Sequence, residues 1–162
     1  MMPGINRELL LDFFLTFSRF EFALKLAGLY RRQSGQHVAY EAKPDWNRLT
    51  TMLRGTFDAN RTSELRVVVD RILNNPPFRE VIAGGSIAWD TGGPTESLSE
   101  IDRLLICVRR IRNNVFHGGK YSSERNFDTE RNIALLGDAL VVLEECLRLA
   151  PNVKREYDAA TP

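Results

Sequence analysis

The segment from Leu9 to Ala27 constrains this 162-residue chain more than any other. Leu9, Leu10, Phe13, Phe14, Phe17, Phe20, Leu24 and Ala27 recur at helical spacing, and Leu11, Leu15 and Phe22 add apolar surface on the other side. The pattern predicts a helix from about Asn6 to Arg32 with Asn6 as its N-cap. A helix that is apolar nearly all round belongs at the centre of a fold, packed by several neighbours or by a partner chain.

The remaining blocks are also helical in period. Residues 33–44 read as a polar connection, after which Asp45 caps a short helix from Trp46 to about Phe57. A second run extends from about Thr62 to Leu73 and is stopped by Asn74-Asn75-Pro76-Pro77, because tandem Pro removes donors and fixes the backbone. Residues 76–97 hold four Gly and three Pro and read as a long loop, with room for a short hairpin around Gly84-Gly85. Ser97 or Ser99 then caps a strong helix, and Ser97 with Glu100 has capping-box spacing. Ile101, Leu104, Leu105, Val108, Ile111 and Val115 form its apolar stripe, and Gly118-Gly119 ends it. Asp128 or Thr129 opens a last helix that continues to about Ala150, where Pro151 stops it. Repeats and βαβ alternation are both missing from the pattern. The expected fold is therefore an all-α bundle of four or five main helices. Residues 1–150 would form one domain, with a long Gly/Pro-rich loop before the fourth run, and 151–162 a frayed tail.

Charge narrows the function classes. Lys and Arg number 22 against 21 Asp and Glu, so no strong overall field attracts nucleic acid or an anionic membrane, and any polyanion site must be a local patch. Nine Phe and a hydrophobic content of 43% supply a core and exclude general disorder. The two cysteines, Cys107 and Cys146, sit in apolar helical stretches and read as buried free thiols in a reducing compartment. With two His and no CxxC or HxxxH spacing they make a poor zinc set. Asp12 interrupts the N-terminal apolar stretch, no cleavage pattern flanks it, and nothing reaches the ~20 apolar residues of a membrane span. A cytoplasmic protein is the expectation.

One stretch carries chemistry: Arg109-Arg110-Ile111-Arg112-Asn113-Asn114-Val115-Phe116-His117-Gly118-Gly119-Lys120. Its structural reading is simple, since basic residues in a helix's last turn complement the macrodipole. Three details point further. His117 is one of two histidines and stands beside two glycines, which permit close approach of a ligand. Arg112 and His117 are five positions apart, about 140° in an unbroken helix, so they face one ligand only if the helix ends near Phe116. Asn113 lies four residues before His117 and can orient it. Residues 103–131 also hold seven Arg/Lys (Arg103, Arg109, Arg110, Arg112, Lys120, Arg125 and Arg131) against three acids. Fork, proton shuttle and orienting amide in a basic patch suit a phosphodiester.

Arg112-Asn113-x-x-x-His117 resembles the Arg-x4–6-His motif of the HEPN superfamily (higher eukaryotes and prokaryotes nucleotide-binding), including the polar residue directly after the Arg. Phe116-His117-Gly118-Gly119-Lys120 looks like its ApeA-like branch, and Phe17-Ser18-Arg19-Phe20-Glu21-Phe22-Ala23-Leu24-Lys25 is similar to that branch's first helix. The resemblance spans most of the chain. It implies a bundle of four or five main helices that commonly dimerises, placing two such motifs across one cleft. Many members are metal-independent endoribonucleases of toxin–antitoxin, abortive-infection and antiviral systems, and others are non-catalytic nucleotide-binding or interaction modules.

For this chain the resemblance implies a set of roles. With the substrate's 2′-OH as nucleophile, proton transfer and charge stabilisation matter more than a metal, so no cofactor is expected. His117 would be the acid/base, Arg112 would grip the phosphate, and Asn113 would orient His117 or hold a phosphate oxygen. The resemblance turns Glu21 toward the motif helix as a partner for Arg112; the local alternative is an exposed i, i+4 pair with Lys25. Arg109, Asn114, Lys120 and Tyr121 complete the candidate substrate contacts, Asn114 being first a helix-surface residue. The expected partners are RNA, a second copy of the chain, and a cognate antitoxin or regulator, with no membrane.

Other signals fail. Gly118-Gly119-Lys120 is not a P-loop, because Asn114 holds the first Gly position and Tyr121 follows the Lys. Cys107 stands ten residues before His117, too far for a nucleophile–base pair on one helix. His37 reads as a solvated loop histidine. Trp46 and Trp89 read first as anchors for a short helix and a loop, and second as stacking platforms.

Overall fold

The computed structural model describes residues 6–35, 39–116 and 129–160. Helix α1 (Arg7–Leu26) begins at Asn6, whose side chain accepts from the backbone N–H groups of Glu8 and Leu9 at 3.1 and 3.2 Å. Gly28, at φ +81°, turns the chain away one residue past the C-cap. Helices α2 (Trp46–Leu53) and α3 (Ser63–Asn74) start at Asp45 and Thr62, each of which accepts a bond from the N3 backbone N–H. Helix α4 (Glu100–Phe116) is followed by α5 (Thr129–Leu149) and α6 (Pro151–Ala159).

The molecule is mostly helical, but it is not all-α. Strands β1 (Arg79–Ala83) and β2 (Ser86–Asp90) pair antiparallel in the register Arg79↔Asp90 to Ala83↔Ser86. Their turn is Gly84-Gly85, both at positive φ (58° and 77°), as a two-residue hairpin turn matched to strand twist requires. Val81, Ile82, Ile87 and Trp89 supply the β-favouring side chains. A lone two-stranded ribbon is marginal in water, and this one rests on α4 through β1.

Helix α5, not α1, is the central helix: it packs against α1, α3, α4 and α6. Phe13, Phe17, Phe20, Ala23 and Leu24 of α1 are buried, and full burial of Phe13 and Phe20 is worth about 2–3 kcal/mol each. The outer side of α1 is open. Leu11, Phe14, Leu15, Phe22 and Leu26 are between 44% and 56% exposed, so nothing among the described residues covers them fully.

The C-terminal segment also departs from the expected frayed tail. Pro151 is the first residue of α6, where a missing N–H costs nothing. Val153 is buried, and Arg19 of α1 donates through Nε to the Tyr157 carbonyl at 2.7 Å with its guanidinium over the Tyr157 ring at 4.2 Å. A cation at a helix C-terminus satisfies carbonyls the helix leaves open.

Three buried carboxylates tie helices together. Asp102 near the start of α4 takes two bonds from Arg54, at 2.9 and 3.0 Å, and a third from the Ser99 hydroxyl. Ser99 Oγ accepts in turn from the Asp102 backbone N–H at 3.3 Å, so the cap uses Ser99 and Asp102 rather than Ser97 and Glu100. These bonds, Arg54's foremost, hold the Asp102 carboxyl down at about 2 against burial. Glu145 is gripped by Arg61 and Arg148. Among the described residues Asp138 has only Arg71 as a partner, and burial pushes its carboxyl up. Cys107 and Cys146 are buried free thiols, pushed up to about 11 and about 12 by desolvation. Among the described residues no helix is long and apolar enough to cross a membrane.

Candidate functional site

Residues 109, 112 and 113 fall on one side of α4, since offsets of three and four bring side chains to one face. That side meets Phe17 and Glu21 of α1, themselves four apart, and the 29–46 connection. Together they line a cavity of about 220 Å³ whose walls are Phe17, Glu21, Arg31, Lys43, Pro44, Trp46, Arg109, Arg112 and Asn113. Four cations and one carboxylate face this small volume.

The floor is aromatic. Trp46 is only 4% exposed and stacks on Phe17 and Phe20 with ring centroids 5.6 and 5.5 Å away. Its indole N–H donates to Glu21 Oε1 at 3.1 Å. Trp46 is thus an anchor; with its faces packed, it offers no platform to a base. The Arg109 guanidinium lies 5.9 Å from the Trp46 ring, and that of Arg112 lies 5.8 Å from Phe17 and 5.2 Å from Phe116. Such placement holds guanidinium groups without neutralising them. Arg112 Nη1 donates to Asn113 Oδ1 at 3.1 Å, so the two motif residues form one donor array.

Arg109 registers the excess charge. Its guanidinium is held below its ordinary value, first by burial and then by Arg31, against the opposing pull of Glu21. Glu21 sits in the cavity and acts on Arg109, and its oxygen is engaged by Trp46 rather than by Arg112 or Lys25.

The other side of α4 has a different task. Arg110 donates to the Gly92 carbonyl at 2.7 Å and reaches the Pro77 carbonyl at 3.5 Å. The Asn114 amide donates to the Phe78 carbonyl at 2.8 Å. Arg131 of α5 donates to the carbonyls of Asn75 and Pro76, at 3.2 and 2.8 Å, with its guanidinium 4.7 Å from the Phe78 ring. These three side chains clamp the Pro-rich entry and the Gly-rich exit of the hairpin onto the bundle. Asn114 therefore does not line the cavity.

Of the residues singled out in the sequence, Glu21, Arg109, Arg112 and Asn113 come together. His117, Lys120 and Tyr121 lie outside the described residues, as does His37. The sequence did not single out Arg31 or Lys43 as parts of the site. The one local signal for the cations is a basic residue at each end of a polar connection that Gly28 turns back on itself.

A second cavity, of about 750 Å³, opens between α1, α3, α5 and α6. Its charges nearly balance: Arg61, Arg148 and Lys154 face Glu64, Glu144, Glu145 and Asp158. It has no preference for an anion, so the smaller cavity is the candidate site.

No protein-family model matches the chain, and comparisons with curated proteins and with solved structures find no match either.

Proposed function

We propose that this protein is a metal-independent endoribonuclease of HEPN type, acting by 2′-OH attack in a dimeric cleft and serving a bacterial toxin–antitoxin or antiviral defence system. The observation that carries the reading is the convergence of Arg112, Asn113, Arg109 and Glu21 on one cation-rich cavity along the stretch that leads to His117.

The chemistry comes from the side chains. Arg112 and Asn113 present N–H donors to a phosphodiester, and Arg112 would stabilise the charge that grows on its oxygens in the pentacovalent transition state. His117 takes the proton of the 2′-OH and returns one to the 5′-oxygen leaving group. The product is a 2′,3′-cyclic phosphate and a 5′-hydroxyl. Glu21, bonded to the Trp46 indole, keeps the floor of the site in place.

The open face of α1 supports the dimer. Phe14, at the edge of the exposed stripe, packs against Phe116 with ring centroids 5.3 Å apart, so that apolar surface is continuous with the motif end of α4. A second copy seated there would bury the stripe and set two motifs side by side.

The test is incubation of mixed cellular RNA with purified protein in EDTA, with His117→Ala alongside and the fragment 3′ ends analysed. The reading expects fragments from wild type only, ending in cyclic phosphate. Ends carrying 3′-OH would sink the 2′-OH mechanism. RNA binding without cleavage would move the protein to the non-catalytic binding modules, an outcome to which its near-neutral overall charge also lends itself.

A further inference from the structure

We propose that Arg31, Lys43 and Arg109 form a second phosphate subsite beside the one supplied by Arg112 and Asn113, so that the cavity holds two phosphate groups of one ligand. The inference rests on the phosphodiester reading of this cavity and extends it to residues outside the motif.

Arg31 and Lys43 stand at the two ends of the connection between α1 and α2, and those ends are paired by backbone bonds. The Arg31 N–H donates to the Lys43 carbonyl at 2.9 Å, Tyr30 and Pro44 form an antiparallel bridge, and the Asp45 N–H donates to the Leu29 carbonyl at 2.8 Å. These bonds fix the backbones of two exposed cations next to each other at the cavity wall. Arg109 faces them from α4, half-buried.

Their charges are not spent inside the protein. Among the described residues neither Arg31 nor Arg109 has a side-chain hydrogen bond or an ion pair, and Lys43 has only the exposed contact with Glu41 at 3.2 Å, a kind that contributes little. Crowding of Arg31 on Arg109 is unfavourable, and Glu21 offsets it only in part. A phosphate removes that repulsion and accepts the guanidinium donors in a planar fork. Size agrees: about 220 Å³ is below the roughly 300–1,000 Å³ of sites that enclose whole small ligands, and suits a stretch of backbone with its bases outside.

Two sources supply this chemistry, an internal phosphodiester of a single strand or a terminal phosphate monoester. The experiment measures binding of a short single-stranded 2′-O-methyl oligoribonucleotide, which lacks the nucleophile and is not cleaved, with either a 5′-OH or a 5′-phosphate. Wild type, Arg31→Ala, Lys43→Ala and the double variant are compared over a salt series. Both side chains are solvent-exposed, so the variants keep the fold, which circular dichroism verifies.

The expected result is about tenfold weaker binding per cation removed, with the slope of log K against log salt shrinking by about 0.7 for each. Loss with both oligonucleotides assigns the subsite to an internal diester; loss confined to the 5′-phosphorylated one assigns it to a terminal monoester. Affinities within roughly twofold of wild type together with an unchanged salt slope would overturn the proposal, as would a wild type that binds neither oligonucleotide. Cleavage in EDTA is scored separately. A protein that cleaves RNA but ignores these substitutions loses the subsite and keeps the nuclease, and one that binds through Arg31 and Lys43 without cleaving does the reverse.

Discussion

The two sides of α4 near its C-terminal end are built from neighbouring residues of one basic stretch and do opposite work. Arg109, Arg112 and Asn113 face a cavity and leave donors for a ligand. Arg110 and Asn114, next to them in sequence, give their donors to backbone carbonyls of the hairpin's flanks. A count of Arg and Lys over residues 103–131 pools both sets and overstates the ligand-facing charge. Helical phase separates them: at 100° per residue Arg109, Arg112 and Asn113 share one arc of about 100°, and Arg110 and Asn114 fall on the neighbouring arc. Phase alone does not say which face meets loop carbonyls, and that is decided by tertiary packing.

This division can be broken by substitution. On the ligand side, Arg112→Ala is expected to lower RNA cleavage by at least about a hundredfold, with the melting temperature unchanged, since a lost donor to a transition-state oxyanion costs that much. A single-turnover assay beside a thermal melt checks both parts. Next in size is the apolar face adjoining this side. Leu15→Lys or Phe22→Lys is expected to weaken self-association at least tenfold, read by sedimentation or light scattering, because a charge would be buried at the contact. A concentration dependence identical to that of wild type would remove α1 from the interface.

Earlier along α4, its first turn is fastened to α2 through Asp102 and Arg54. The folded carboxyl, at about 2, lies below its unfolded value of 3.8, so its contribution is present above about pH 4 and is lost as pH falls from there to about 2. That contribution is on the order of 2 kcal/mol. Acid titration of stability should show this loss in wild type and a flatter profile in Asp102→Asn; parallel profiles would contradict it. The smallest effect belongs to the clamp side. Arg110→Ala or Asn114→Ala is expected to cost about 1 kcal/mol, a fall of about 2–4 °C in melting temperature, with the salt dependence of RNA binding unchanged.

Local chemistry explains which parts of the fold were legible. Asn6 and Asp45 cap helices where their sequence context says they should, because capping needs only a few neighbouring residues. Of the two serines offered at the start of α4, Ser99 is the one bonded to Asp102, whose carboxylate also takes Arg54, 48 residues away. Pro151 reads as a stop and acts as a start: proline serves both, and what secures α6 is Arg19, 138 residues distant. The paired glycines marked the turn at 84–85, yet strands of five residues within a Gly/Pro-rich stretch gave no periodicity to read. The apolar girth of α1 left open packing by neighbours or by a partner chain; one side of α1 packs on α5 and α6, and the other is exposed. At the site, Glu21, Arg109, Arg112 and Asn113 were singled out in the sequence and line one cavity. Arg31 and Lys43 were not, since they join the cavity through a backbone pairing between two ends of a connection.

The most direct test of the central claim sets the two sides of α4 against each other in one assay. RNA cleavage in EDTA is measured for wild type, Arg112→Ala and Arg110→Ala, each verified as folded. The account expects Arg112→Ala to be inactive and Arg110→Ala to cleave at close to the wild-type rate. Equal loss in both variants, or cleavage that survives Arg112→Ala, would contradict the assignment of this cavity as the catalytic site.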